Sequence, residues 1–479
     1  MGGVIRVAPG AGNDLQEAVD RAHPGDEILL LAGEHRHRAT IRHGGRAGQP
    51  LVVRGEEGAH LVGPALPSPP DLFRMGIDGL PSLATWAFLR ILRCGHVVVR
   101  DLRMESCWPS GVYAEDAWDL AFEGCRIEGG SYPFFVRDTR IKDPRSRGIV
   151  VRRCRWVQDT RIWKDLKWKD VHHGDLEYLN GALLGTADVL GGIEFSGNVV
   201  EDAFNAMRFD ITGQLRDGFP EEVARRNRDI FVFDNRFERI RDNVLEPESW
   251  AWNMHFHHNV VVDGHAPVSL DGVGGGFWYI YANQFRFLTR PGRPVRGHSA
   301  RSGKIIKLAG YPAHPSRRWY FLSNSIFCRS AVLGDGDSFG VPIWNLVAHD
   351  NVIAGGEPVH DGTEFACPPC INAIDLDFVL RGDTEFAGTV TNLSSWGSAL
   401  ARAGYAEDRA ITVSAAVPLF ADGPSGDLAP LPGSPARGSG RSLEIQLPGG
   451  ETFDWPNGLD RGAVQVGAVC MPVIPMRST

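Results

Sequence analysis

Six stretches decide the reading of this chain: IEFSGNVV (Ile193–Val200), IFVFDNRF (Ile230–Phe237), MHFHHNVV (Met254–Val261), WYIYANQF (Trp278–Phe285), WYFLSNSI (Trp319–Ile326) and LVAHDNVI (Leu346–Ile353). Each alternates apolar with other residues, passes two small or polar residues, places an Asn, and resumes with an apolar residue. Three earlier stretches, VVVRDLRM (Val97–Met104), LAFEGCRI (Leu120–Ile127) and IVVRRCRW (Ile149–Trp156), follow the same plan with Leu102, Cys125 and Cys154 at the Asn position. Successive positions lie 23, 29, 44, 37, 24, 24, 41 and 27 residues apart, a short base period interrupted by insertions. Alternation with period two marks β-strands, and a strand-rich unit repeated at this length is the sequence form of a parallel β-solenoid. Helical solenoids need longer units with a 3.6-residue period. A dinucleotide-binding α/β fold needs helices between the strands and a Gly-rich turn, and neither is present. The Asn column has a physical purpose, because one Asn per coil can satisfy the buried backbone at a repeated turn and bond to the next Asn along the stack.

Composition agrees with a globular β-rich chain. Of 479 residues, 43% are hydrophobic and 23% charged, with 57 Gly and 31 Pro to build turns. The net charge of −8 argues against a general nucleic-acid binder. No apolar run approaches the length of a membrane span. The 8 cysteines are too sparse for a disulfide scaffold. Cys367 and Cys370 form a CxxC pair filled by Pro-Pro, which reads as a loop or a local disulfide rather than a zinc or redox centre. The opening residues carry no secretory signal pattern, so the expected location is cytoplasmic, or extracellular or periplasmic if a signal has been removed. Oligomeric state is not legible.

The repeats, together with VIRVAPGAGNDLQEAVDRAHPGDEILLLAGEH (Val4–His35), resemble the right-handed parallel β-helix superfamily of polysaccharide-cleaving enzymes, which includes pectate lyases and polygalacturonases. The resemblance runs over about the whole chain. It implies an all-β, single-stranded right-handed parallel β-helix over 1–479, with an N-terminal cap in 1–30, coils over 25–440 and a C-terminal tail or cap in 441–479. A helix over 14–22 is expected as the plug of the first coil, with Asn13/Asp14 as its cap and an apolar stripe of Leu15, Ala18, Val19 and Ala22. Residues 418–440 resemble the closing segment of such proteins. Open solenoid ends need covering against edge pairing.

In this superfamily the strand after the Asn turn borders the substrate cleft. Counting from each Asn places Arg208 and Asp210 in one coil, Glu246 and Glu248 in the next, and Ser269 and Asp271 in a third. The segment VSLDG (Val268–Gly272) recurs as IKLAG (Ile306–Gly310), which aligns Lys307 with Ser269. Equivalent residues in adjacent coils are about 4.8 Å apart. Asp210, Glu248 and Asp271 are therefore expected in one acidic row, which needs a function, a cation or a metal to offset its self-repulsion. Insertions at 156–190, 211–229 and 286–303 are expected to wall this row. The first carries Trp163 and Trp168 and the third Arg290 and Arg293, residue types that suit sugar rings and anionic groups; a packed or solvated loop is the plainer reading of both. His255 and His257 alternate outward in an external stacking column with Phe231, Phe233, Tyr279, Tyr281 and Tyr320, rather than forming a zinc site.

Three functions fit these residues. In a glycoside hydrolase, Glu248, Asp271, Asp210 and Glu246 supply the catalytic carboxylates and no cofactor is required, while Arg208, Lys304, Lys307, Trp163, Trp168, Arg290 and Arg293 bind substrate. Glu248, flanked by two acids, is the expected proton donor. The segment KIIK (Lys304–Lys307) resembles the basic segment of polygalacturonases, although the Asn-Thr-Asp, Asp-Asp and Gly-His-Gly motifs of that family are absent. In a polysaccharide lyase, Asp210, Glu248 and Asp271 hold Ca²⁺, and Lys307, Lys304 or Arg208 abstracts the proton. A non-catalytic carbohydrate-binding β-helix is the third. The expected partner in each is a polysaccharide or oligosaccharide, with no nucleic acid and no membrane.

Overall fold

The computed structural model describes residues 2–66, 71, 82–83, 85–140, 142–158, 171, 179–211, 221–288, 306–307, 314–328, 342–355, 379–381, 385–391, 410–412, 418–466 and 470–476. The chain divides into two compact units, residues 1–227 and 228–479. Both use one plan: each coil contributes three short strands, and each strand pairs in parallel with its counterpart in the next coil. This is the parallel β-helix that the Asn-marked repeats predict.

In the first unit, the strands Gly95–Arg100, Trp118–Glu123, Arg147–Arg152 and Gly191–Ser196 stack in register. Val97, Leu120, Ile149 and Ile193 point inward in one file, all essentially inaccessible to solvent. A second sheet carries Arg103–Glu105, Arg126–Glu128, Arg155–Val157 and Val199–Glu201, with Met104, Ile127, Trp156 and Val200 inward. The third runs from Ala39–Ile41 through Ser110–Glu115 and Phe134–Arg137 to Leu184–Ala187 and Met207–Asp210. Each buried aliphatic or aromatic side chain contributes about 1.5–3 kcal/mol of transfer free energy, so these files supply the main cohesion between coils.

The N-terminal helix spans Asp14–Arg21 and buries Leu15, Ala18 and Val19. It stops one residue short of the expected end, because Ala22 is already extended. Asn13 occupies the cap position without a side-chain hydrogen bond. The helix closes the edge of the third sheet through Gln16, whose Oε1 accepts from the Thr40 amide (2.7 Å) and whose Nε2 donates to the Thr40 carbonyl (3.1 Å). Edge groups that would otherwise template further pairing are thereby satisfied. Among the described residues, no helix is long and apolar enough to cross a membrane.

The Asn file of the second unit is continuous and buried. Oδ1 of Asn259, Asn283, Asn324 and Asn351 accepts the backbone amide of the preceding file member at 2.9–3.1 Å. The Nδ2 groups of Asn259, Asn283, Asn324 and Asn351 donate back to the carbonyls of Val232, Phe256, Ile280 and Phe321. Just ahead of each Asn stands a residue in the left-handed region: Asp234, His258, Ala282, Ser323 and Asp350, with φ of 47–57°. That conformation costs a non-Gly residue roughly 1–2 kcal/mol, and at Asp234, His258, Ala282 and Ser323 the bonds of the next Asn in the file hold it on either side. In the first unit, Asn198 does the same for the Cys154 amide and the Val151 carbonyl, while Cys125 and Cys154 fill the position as buried free thiols.

The histidine column is in register as expected, with Phe231, His255, Tyr279 and Tyr320 in one file and Phe233, His257 and Tyr281 in the next. It is not external. Residues Leu443–Trp455, Leu459, Met471 and Ile474 lie over it and make a second hydrophobic layer. Three of the covering contacts are polar: Tyr279 Oη donates to the Gln446 carbonyl, Tyr320 Oη accepts from the Gln446 amide, and Tyr281 Oη accepts from the Ile474 amide. Residues 418–440 likewise pack Leu419, Phe420, Leu428 and Ala436 against Val352, Ala354 and Val390 on the flank of the coils.

Burial pushes His255 down to about 3 and His257 well below its ordinary value. Both are therefore neutral when folded. A depressed folded pKa confers stability that is present above the unfolded value, near 6.5, and lost as pH falls toward the folded one. Stability is expected to fall by about 1.4 kcal/mol per pH unit for each histidine below pH ~6. Denaturant titrations between neutral pH and pH ~4.5 check this; His255→Phe should flatten the dependence, and an unchanged slope would contradict it.

Candidate functional site

The third sheet of the second unit carries strands Asn243–Pro247, Ala266–Ser269 and Ile306–Lys307. Leu245 pairs with Val268 and Val268 with Ile306, and all three are fully buried. Alternation turns the following residue of each strand outward, so Glu246, Ser269 and Lys307 form the outer file, with Ser269 directly paired to Lys307. The expected alignment of these three residues holds.

Lys307 is the centre of the arrangement. Its side chain is only 13% exposed, and its Nζ lies 3.5 Å from Asp271 Oδ2 and 3.9 Å from Asp242 Oδ1. Burial by itself would push the ammonium down, but the charges of Asp242, Asp271 and Glu246 outweigh burial and hold Lys307 above its ordinary value. Glu246 is oriented from its own strand, where Asn243 Nδ2 donates to Glu246 Oε1 at 2.6 Å. Asp271 is a quarter exposed and Asp242 almost wholly buried, at 3%.

Glu248 and Asp271 sit at equivalent corners just beyond their strands. Each precedes a left-handed residue, Ser249 (φ 69°) and Gly272 (φ 65°), and the Gly274 amide donates to the Ser249 carbonyl to stack one corner on the next. In the first unit, Arg208 and Asp210 stand two apart on strand Met207–Asp210 and pair with each other at 3.1 Å. Lys304, Trp163, Trp168, Arg290 and Arg293 lie outside the described residues, as do most of the three insertions and the Cys367/Cys370 pair.

Asp242 is not legible as a site residue from the sequence. It lies ahead of its strand, outside the columns that counting from Asn brings into line, and reaches Lys307 only because a lysine stem spans two strands diagonally. The one signal in the sequence is a run of charge, Arg239-Ile-Arg-Asp242, one residue ahead of the apolar pair Val244-Leu245.

No protein-family model matches the chain, and no curated protein matches it significantly. Several solved structures align with it at low identity. A PL6 family alginate lyase, AlyGC, aligns with 97% of this chain at 12% identity and a TM-score of 0.43, and this chain spans 57% of that one's length. A mannuronic acid specific polysaccharide family 6 lyase from human gut microbiota aligns with 86% of this chain and 91% of its own, at 12% identity and a TM-score of 0.44. A polygalacturonase from Erwinia carotovora ssp. carotovora aligns with 79% of this chain and 96% of its own, at 7% identity and a TM-score of 0.42.

The donor set around Lys307 suits an ammonium better than a calcium ion. Asp242 and Asp271 already neutralise Lys307, and Glu246 is tied to Asn243. A divalent cation would have to displace a buried positive charge to gain those oxygens. Among the described residues, no three His, Cys, Asp or Glu side chains come together to hold a metal ion.

Proposed function

We propose that the chain is a polysaccharide-degrading enzyme that cleaves glycosidic bonds by hydrolysis on the outer face around Lys307. The observation that carries this reading is the buried ammonium of Lys307 between Asp271 and Asp242, beside Glu246. Burying such charges is weak stabilisation at best, since desolvation offsets the Coulombic gain. Clusters of this kind on a rigid scaffold are where catalytic groups are found. Hydrolysis needs one carboxylic acid to protonate the leaving oxygen and one carboxylate to act on water or the anomeric carbon. In this reading Asp271, aimed by Lys307 and still a quarter open to solvent, is the carboxylate, and Glu248 at the equivalent corner is the proton donor. Glu246 and Lys307 position substrate hydroxyls.

Two of the three bases that elimination could use, Lys307 and Arg208, are poorly suited to it. A lyase base must accept a proton, and Lys307 is held in its protonated form by its three acidic neighbours. Arg208, an effectively permanent cation paired to Asp210, is no better suited.

On any substrate the protein cleaves, Glu248→Gln and Asp271→Asn should each lower kcat by about 10²–10⁴-fold with the fold intact. Glu238→Gln, which removes a charge between Arg236 and Arg239 on another sheet, should leave the rate nearly unchanged. Retention of more than about half the rate by both site variants would remove these residues from the reaction. Recovery of the loss with added calcium would point to metal-assisted elimination instead.

A further inference from the structure

The second sheet of the first unit carries a file that the proposed reaction does not use. Arg103, Arg126 and Arg155 occupy the same register position on three successive strands, and all three are exposed. Neighbouring strands are about 4.8 Å apart, and like charges placed directly opposite one another destabilise a sheet. The file ends abruptly, with His60 below it and Val199 above. Two of the arginines have local acids: Arg103 pairs with Glu105 at 2.8 Å and Arg155 with Glu201 at 2.8 Å. Arg126, the central one, makes no ion pair among the described residues, although Glu128 stands two residues along its own strand.

Two clefts meet at Arg103 and Arg126. One, of about 330 Å³, runs over Arg103, Arg126 and Arg155 to Glu128; the other, of about 500 Å³, continues past the turn at Glu56 and Glu57 to Asp101. The strip is thus mixed in a regular way, with guanidinium donors in one file and, two residues on, Glu105 and Glu128 paired in the next. Guanidinium forks match carboxylate and sulfate oxygens. Carboxylates beside them accept from the hydroxyls that a sugar polymer presents.

We propose that Arg103, Arg126 and Arg155 form a second, non-catalytic binding strip for an anionic polysaccharide, with the arginines reading carboxylate or sulfate groups and Glu105 and Glu128 reading hydroxyls. This rests on the polysaccharide reading of the protein and extends it. The strip is built on second-sheet strands of the first unit and includes none of the residues placed in the proposed reaction, so its side chains are read as binding groups only.

The test uses the full chain carrying Asp271→Asn, so that binding is read without cleavage. Affinity electrophoresis and calorimetry would measure polygalacturonate, alginate and chondroitin sulfate against a neutral glucan, inorganic phosphate and duplex DNA. Adding Arg126→Glu is expected to weaken binding of at least one acidic polysaccharide by roughly 10- to 100-fold, the range of one lost charge-assisted contact. It should also flatten the salt dependence of that binding. Arg126→Gln should give a smaller loss in the same direction, and both variants should melt as the parent does. In the wild-type background, Arg126→Glu should leave kcat on short oligosaccharides unchanged, which separates failure of this strip from failure of the reaction centre. Unchanged acidic-polymer binding in Arg126→Glu, equal binding of the neutral glucan, binding of phosphate alone as tight as the polymer's, or tighter binding of DNA would each overturn the proposal.

Discussion

Lys307→Met is expected to be among the most damaging single substitutions in the second unit. The methionine fills most of the lysine's volume, yet it leaves Asp242, with a side chain 3% exposed, as a buried carboxylate without its cation. Removing one partner of a buried ion pair typically costs about 3–5 kcal/mol, because the remaining charge stays desolvated. Glycan cleavage should fall at least as far as in Asp271→Asn, since Asp271 loses the group that aims it. The pH dependence carries a signature that a packing defect does not. Lys307 is raised in the folded state, so its contribution is fully present below the unfolded value near 10.5 and lost as pH rises through the higher folded value. Wild-type stability should therefore decline in alkali through that window while Lys307→Met does not. Denaturant midpoints measured at neutral and alkaline pH check both points; a variant within about 1 kcal/mol of wild type would contradict the pairing.

Asn283→Leu should be comparably severe by a different route. The change leaves the Asn259 amide, the Asn259 Nδ2 and the Phe256 carbonyl without the partners that Asn283 supplies, all in a buried turn. Each orphaned buried polar group costs about 1–3 kcal/mol, so a loss of roughly 3–6 kcal/mol is expected. The left-handed residue His258, at φ 54° between the Phe256 carbonyl and the Asn259 amide, also loses the Asn283 bonds on either side of it. Urea unfolding followed by circular dichroism measures this directly, and a loss below about 1 kcal/mol would mean that the ladder is decoration.

The β-helix is legible in the sequence because its constraint repeats. Every coil must satisfy the same buried turn, and a side chain that does so, Asn, recurs at one offset from a period-two strand. The outer file of Glu246, Ser269 and Lys307 is legible in a related way: Glu246 and Ser269 lie eleven and ten residues after their Asn, and Lys307 is aligned by the recurrence of VSLDG as IKLAG. What the periodicity does not encode is what lies on top of a coil. Alternation correctly turns His255 and His257 out of the coil interior, but the cover that buries them is the segment around Gln446, Trp455 and Ile474, far along the chain and outside the repeat. Asp242 escapes for a related reason: it meets Lys307 diagonally, through the reach of a flexible side chain rather than through strand register. The arginine strip is in plain view in LRM, CRI and CRW, yet its meaning rests on register and on the absence of an acid partner for Arg126 among the described residues, which only coordinates supply.

The most direct measurement is to incubate the wild-type chain and Asp271→Asn with a panel of neutral and acidic polysaccharides, with and without EDTA. New reducing ends and the ultraviolet absorbance of unsaturated uronates would be recorded in the same tubes. Hydrolysis around Lys307 predicts that reducing ends rise for at least one polysaccharide, that absorbance stays flat, that EDTA makes no difference, and that Asp271→Asn is inactive or nearly so. Absorbance rising in step with reducing ends, or full activity in Asp271→Asn, would contradict it.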